Sequence, residues 1–545
     1  MKPGKNKLIL LVLIALLIGL IFGYFKKEPK LTLKQGNIEV PQKRSIQWNN
    51  DSEFKDSIIG IWVKKKVEYG PKKGKVSNPR VLLARLHSKT NIQETNQIIM
   101  GMKPWGVSGS SWFFNKLGDY DFTFTVLTTI LWQFGDNPEI LYKETVNHLL
   151  EVLLTEEGNK FRRAAPKTFG LFPETENHIL MTEGSRYLKN RWLAIHGNDD
   201  PKYDNTGNGM EAQIMDFLHD MKTNGLHEFN SMPYIGYTIT ALLNLEAFAS
   251  QKVRKEARDV LDYMNISYAL GSYHYKYFPP MRRRYERASW HKLTTGYHSV
   301  FMKAWMSFFP GAATNFDIGE GEAHAIIGAC MPYRPADKIR LMLSEKGNGY
   351  FIKMGHGKGS CPEIYTAGEN YLLSAGGANL GKTSQIVARP ITLFLNDEAK
   401  ELEETFHLAG PGTNFMEWNN TGVYKNFACA AGPVAIPQGY QAQYKGNIWS
   451  IFEANDKVLV AVFSSANLGI LLVFENQDPQ TLLKKLENKN PDMESLHTQF
   501  RFPDGLLIEY DPIAPKDKWV ITKVNQSKLD RNYENWPLIE GSFYP

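Results

Sequence analysis

The sequence predicts a multidomain α and β protein: an N-terminal membrane helix, then an α/α toroid, then an antiparallel β-sandwich domain. Three observations predict it. An uncharged run from Leu8 to Phe25 follows Lys2, Lys5 and Lys7. Between about residues 79 and 346, apolar residues recur at helical spacing. From Gly349 onward they recur in short runs near period two, separated by Gly, Pro and Asn.

Residues 1–30 read as a signal-anchor. Eighteen residues rise about 27 Å as a helix, enough to span a bilayer core. The stretch from Gly19 to Tyr24 stays bulky, with no small-x-small cleavage site and no cysteine for a lipid anchor. An uncleaved anchor is therefore preferred over a cleaved signal. The positive-inside rule leans toward a single-pass cell-membrane protein with its globular part extracytoplasmic. Residues 31–78 are Lys-rich, contain Trp48 and Trp62, and read as a linker and lead-in segment. Six lysines and Glu28 in the first thirty residues account for five of the six formal positive charges. The remainder, near +1, supplies no field for nucleic acid. Cys330, Cys361 and Cys429 cannot all pair and form neither a disulfide framework nor a Cys-rich zinc site.

Residues 79–346 hold the expected toroid, with helices at 81–86, 94–100, 122–134, 139–154, 178–193, 209–223, 233–248, 252–268, 299–309, 322–330 and 335–343. Residues 347–545 hold the expected sandwich. Its strands are read at 349–354, 371–374, 391–394, 423–429, 449–453, 458–463, 468–474, 500–502, 506–510 and 519–523. One helix, 480–486, interrupts them.

The chemistry-capable residues gather at helix starts. Thr175-Glu176-Asn177-His178 opens one helix, Asp119-Tyr120-Asp121 an earlier one, and His227-Glu228-Phe229-Asn230, followed by Pro233-Tyr234, a later one. Helix mouths carry unpaired N–H groups and favour anions. A plainer helix lies between each pair. If inner and outer helices alternate, the three decorated mouths converge on one face. Each also has a plain structural reading: Asn177 as a cap, His178 bonded to a carbonyl, Tyr234 as packing, His227 likewise, and Asp119 and Asp121 as dipole partners. Arg282, Arg283 and Arg284, beside Tyr285, Trp290 and His291, suit an anionic chain through bidentate contacts and stacking, or else form a solvated turn. The loop 355–359 lacks Walker spacing, and no nucleophile elbow, His-Glu-x-x-His pair or dinucleotide motif is present. His324 and His356 are isolated, so no metal or cofactor is indicated.

A helical first half with Asn177-His178 at a helix mouth, a downstream Tyr234 and arginines, then a large β domain, resembles the α/α-toroid plus β-sandwich polysaccharide lyases. These are the alginate, chondroitin and heparinase II/III-like groups. The stretches 175–192, 229–245 and 371–377 also resemble a large group of bacterial and fungal proteins of uncharacterised function. The lyase resemblance implies β-elimination on an anionic polysaccharide or oligosaccharide. Asn177 would bind the uronate carboxylate, His178 would act as or assist the base, Tyr234 would be acid or base, and His227 is a further catalytic candidate. Glu176, Asp119, Asp121, Arg282, Arg284, Tyr285 and Trp290 would line the chain. Tyr365, Tyr371 and His407 are candidates for a second-domain contribution. Two alternatives remain: a glycoside hydrolase pairing Asp119 or Asp121 with Glu176 or Glu228, and a non-catalytic, membrane-anchored glycan-binding or envelope protein.

Overall fold

The computed structural model describes residues 51–541 except 71, 233, 284–290, 294–296, 307–321, 345, 347–348, 358–359, 377–385, 388, 409–419, 516–517 and 530–535. The expected membrane segment lies outside them. Among the described residues no helix is long and apolar enough to cross a membrane.

The helical part comprises α1 (Asp51–Val63), α2 (Ser77–His87), α3 (Ile92–Gly101), α4 (Asp121–Phe134), α5 (Lys143–His148, continued by a π turn), α6 (Glu176–Ile195), α7 (Met210–Asn224), α8 (Tyr234–Phe248), α9 (Gln251–Gly271), α10 (Tyr297–Met306), α11 (Glu322–Cys330) and α12 (Asp337–Ser344). Helix α1 falls where sequence reading expects a linker. Its pattern is too short to read alone, yet Ile58, Ile59 and Trp62 are buried against α2 and α11.

Two kinds of helix alternate. Helix α7 buries Met210, Ile214, Phe217, Leu218 and Met221, the single stripe of an amphipathic helix with one wet face. Helices α4, α6 and α8 are buried nearly all round. Their polar residues therefore have to bond inside the protein. Thr129 Oγ1 donates to Asn244 Oδ1 at 2.7 Å, and Asn244 Nδ2 donates to the Thr125 carbonyl at 2.9 Å, joining α4 to α8. Helix α2 packs on α4, α4 on α6, α6 on α8 and α8 on α10 and α11, while α11 returns to α2.

Three antiparallel sheets of seven, six and four strands follow the helices. Period-two alternation assigns each face. Along Tyr371–Gly376, Tyr371 and Leu373 face the six-stranded sheet, whereas Leu372 joins the helical core with Ile352, Tyr365 and Phe394. Along Val458–Ser464, Val458, Val460 and Val462 face the seven-stranded sheet. The alternate residues Leu459, Ala461 and Phe463 face the four-stranded sheet and the helix Pro479–Lys489. Both large sheets are thus covered on both faces, in a sandwich-like stack.

Two strand readings need correction. The stretch 423–429 is a hairpin, Thr421–Tyr424 with Phe427–Ala430, turned at Lys425 with φ 49°. A strand at Cys361–Ala367 escapes sequence reading because Pro362 argues against an interior strand, although it pairs on both sides.

Packing around two glycines gives opposite expectations. A methyl group at Gly184 in α6 meets only Leu245 side-chain carbons at 3.7 Å. Gly184→Ala should therefore raise thermal stability by up to about 1 kcal/mol through helix propensity. At Gly469 the same methyl would stand 2.6 Å from the Gly432 carbonyl oxygen. Gly469→Ala should lower the unfolding free energy by about 1–3 kcal/mol, read by urea denaturation.

Candidate functional site at three helix mouths

Helices α4, α6 and α8 start at the same end of the helical part, because their first residues touch one another. Helix α6 begins at Glu176 behind an extended Thr175, so Asn177 is not the cap; Thr175 Oγ1 donates to Asn177 Oδ1 at 2.7 Å. The amide Nδ2 of Asn177, fully buried, has no hydrogen-bond partner among the described residues.

His178 is 4% exposed, and its Nδ1 lies 2.5 Å from Asp121 Oδ2 at the first turn of α4. Its Nε2 lies 3.9 Å from Asp119 Oδ1. Burial alone would push the imidazole down, but Asp121, with Glu174 and Asp119 nearby, outweighs it and holds it up at about 9. His178 is therefore held as an imidazolium at neutral pH, the form that would assist a base rather than act as one. Asp119 adopts a left-handed backbone, φ 74°. It is pinned by the Ser111 N–H at 3.0 Å and by Lys75 Nζ at 2.8 Å. Asp121 Oδ1 has no partner among the described residues.

The third mouth joins the first two through Glu174 and Glu176. Glu174 accepts from the Ser110 and Thr175 N–H groups at 3.0 and 2.8 Å. Its charge acts on both His178 and Arg283. Arg283 binds the Glu228 carboxylate and lies over the Tyr234 ring, 4.6 Å from its centroid. Glu176 accepts weakly, at 3.4 Å each, from the N–H groups of His227 and Glu228. Burial, and then the Glu228 carboxylate, push Glu176 up to about 7.

The remaining candidates divide. His227 stacks on His356 at 3.9 Å, and His356 Nε2 bonds Asp220 Oδ2 at 3.0 Å. Burial, His356 and Arg282 push His227 down to about 3, so it stays neutral. It braces the seam with the sheets. Arg282 donates to the His227 carbonyl at 3.0 Å and fixes that loop. Arg284, Tyr285 and Trp290 lie outside the described residues. Tyr365 is buried with its hydroxyl on Glu363, Tyr371 sits in the sandwich core, and His407 bonds the Thr405 carbonyl at 2.9 Å. All three are buried. Sequence reading missed Glu174 and Lys75. Glu174 directly precedes the Thr175 mouth and was legible as a second acid there, beside Glu176; Lys75 carried no local signal.

Among the described residues no cluster of three His, Cys, Asp or Glu side chains suits a metal ion. No protein-family model and no curated protein matches this chain. The site therefore rests on its own geometry: His178 against Asp121, and Arg283 on Glu228 over the Tyr234 ring, with the Glu174 charge acting on both cations.

The folded His178 value near 9 exceeds its ordinary 6.5. The pair therefore stabilises the fold fully below pH 6.5, and that contribution is lost as pH rises through 9. The shift corresponds to about 3 kcal/mol. In Asp121→Asn, His178 should titrate below 6.5, followed by its imidazole NMR shifts. A midpoint still near 9 would remove Asp121 as the cause.

Proposed function

We propose that this protein is a membrane-anchored carbohydrate-active enzyme, a polysaccharide lyase that cleaves uronate-containing glycans by β-elimination. The helical part is read as an α/α toroid, supported by the packing circuit from α2 through α4, α6, α8 and α11 back to α2. The observation that carries the reading is the convergence of His178, Arg283 and Tyr234 around Glu174 at one end of that circuit.

In this reaction a base takes the C5 proton of the uronate, the C4–O bond breaks, a C4–C5 double bond forms, and the departing oxygen takes a proton. Negative charge builds on the carboxylate as C5 loses its proton, so donors aimed there lower the barrier more than uniform binding does. The buried, unpartnered Asn177 amide and the His178 imidazolium are assigned to that carboxylate. Tyr234, half-buried at the mouth of α8, moves the proton. Arg283 clamps the anionic chain as a guanidinium can.

A glycoside hydrolase is the second reading, favoured by Glu176. A carboxyl held at about 7 beside Glu228 is the kind of pair in which one acid stays protonated while its neighbour ionises. Incubation with uronate polymers separates the two. The lyase reading expects ultraviolet absorbance from the new double bond, growing with chain cleavage. New reducing ends without that absorbance would replace it with the hydrolase. Tyr234→Phe should cut kcat by roughly 10²–10⁴-fold with little change in KM, and unaltered kcat would remove Tyr234 from the chemistry.

A further inference from the structure

Two loops beside the site carry an apolar ridge that no interior requires. The loop before α4 presents Phe113, Phe114 and Leu117, and the loop before α6 presents Phe169, Leu171 and Phe172. Phe113 is 76% exposed and Phe169 96%. Trp112 knits the loops together, with Phe172 at 4.8 Å and Phe114 at 5.6 Å, both edge-on. Exposed contiguous apolar surface of this kind marks an interaction site.

The ridge is held out rigidly. Ala165 N–H donates to the Phe172 carbonyl at 2.9 Å and Glu174 N–H to the Arg163 carbonyl at 2.8 Å, closing one loop as a narrow hairpin. Asp119 N–H donates to the Gly109 carbonyl at 2.7 Å, and the Ser110 N–H bonds Glu174, closing the other. Phe169 sits at φ 55°, beside Gly170 at φ 79°, a backbone that turns its ring out at the loop tip.

Charge and shape identify what the ridge meets. Residues 103–117 and 158–173 contain six lysines and arginines and no aspartate or glutamate. Lys116, over the Phe113 ring, and Lys167, two residues before Phe169, are exposed beside the apolar tips. A stacking platform for sugars needs flat ring faces with hydrogen-bonding neighbours. Here the rings pack edge-to-face, and two of the six apolar members are leucines. Phe and Leu at loop tips with a basic fringe match the acyl–headgroup boundary of an anionic leaflet. The same chain carries the uncharged run from Leu8 to Phe25.

We propose that this ridge is a lipid-docking surface, inserting its Phe and Leu tips into an anionic bilayer leaflet while Lys116 and Lys167 meet the phosphates. It gives the chain a second membrane contact, independent of the reaction at the site. Because the same two loops carry Asp119 and Glu174, docking fixes the helix mouths against the membrane surface.

The test uses the full chain with a polarity-sensitive fluorophore on Phe169→Cys and, as a remote exposed control, on Met493→Cys. Vesicles of phosphatidylcholine with about 30 mol% phosphatidylglycerol are added. The expected result is a blue shift and several-fold brightening at position 169 only, quenched by shallow spin-labelled lipid and weakened by Lys116→Glu with Lys167→Glu. Equal responses at both positions, or no response at 169, would overturn the proposal. So would a response at 169 to a soluble uronate polymer without lipid, which would make the ridge a glycan surface instead.

Discussion

The contact between His178 and Asp121 is the constraint around which the helical part is organised. Burying two charges costs several kcal/mol per ion unless each finds a close partner. Here the pair closes at 2.5 Å between the first turns of α4 and α6. It fixes the rotation of both helices and carries Asp119 and Glu174 with them. Glu176, two residues before His178 in the first turn of α6, reaches the backbone that leads into α8. Three helix starts are thereby locked into one charged cluster. Each carboxylate there also sits favourably near a positive helix end.

The sheets depend on a different rule. A seven-stranded sheet buried on both faces must offer apolar side chains to two cores, and Tyr371 through Leu373 do so residue by residue. One face seals the helical core, the other seals the six-stranded sheet. His227 stacked on His356 adds a polar contact at that seam. The loop that shapes the third mouth therefore leans on the sheets.

Much of the local structure was legible. The helices from α2 to α12 follow apolar spacing, and most strands follow alternation, because burial stripes leave a periodic trace. Pro362 hid a strand and Lys425 split another, since both depend on pairing partners rather than on local pattern. Asn177, His178, Asp119, Asp121 and Tyr234 were found because they sit at helix starts. Lys75 was not, because its contact with Asp119 spans 44 residues.

By itself the sequence determined most of the helix and strand segments, which helix mouths carry acids, amides and imidazoles, and where the uncharged run behind the N-terminal lysines lies. The tertiary structure alone decided protonation and grouping. His178 is a base or a cation according to whether Asp121 stands beside it, and His227 is neutral because it is buried, with His356 and Arg282 adding to the effect. Composition holds no record of those distances. Electrostatic energy depends on separation and burial, and both are set only when distant segments pack.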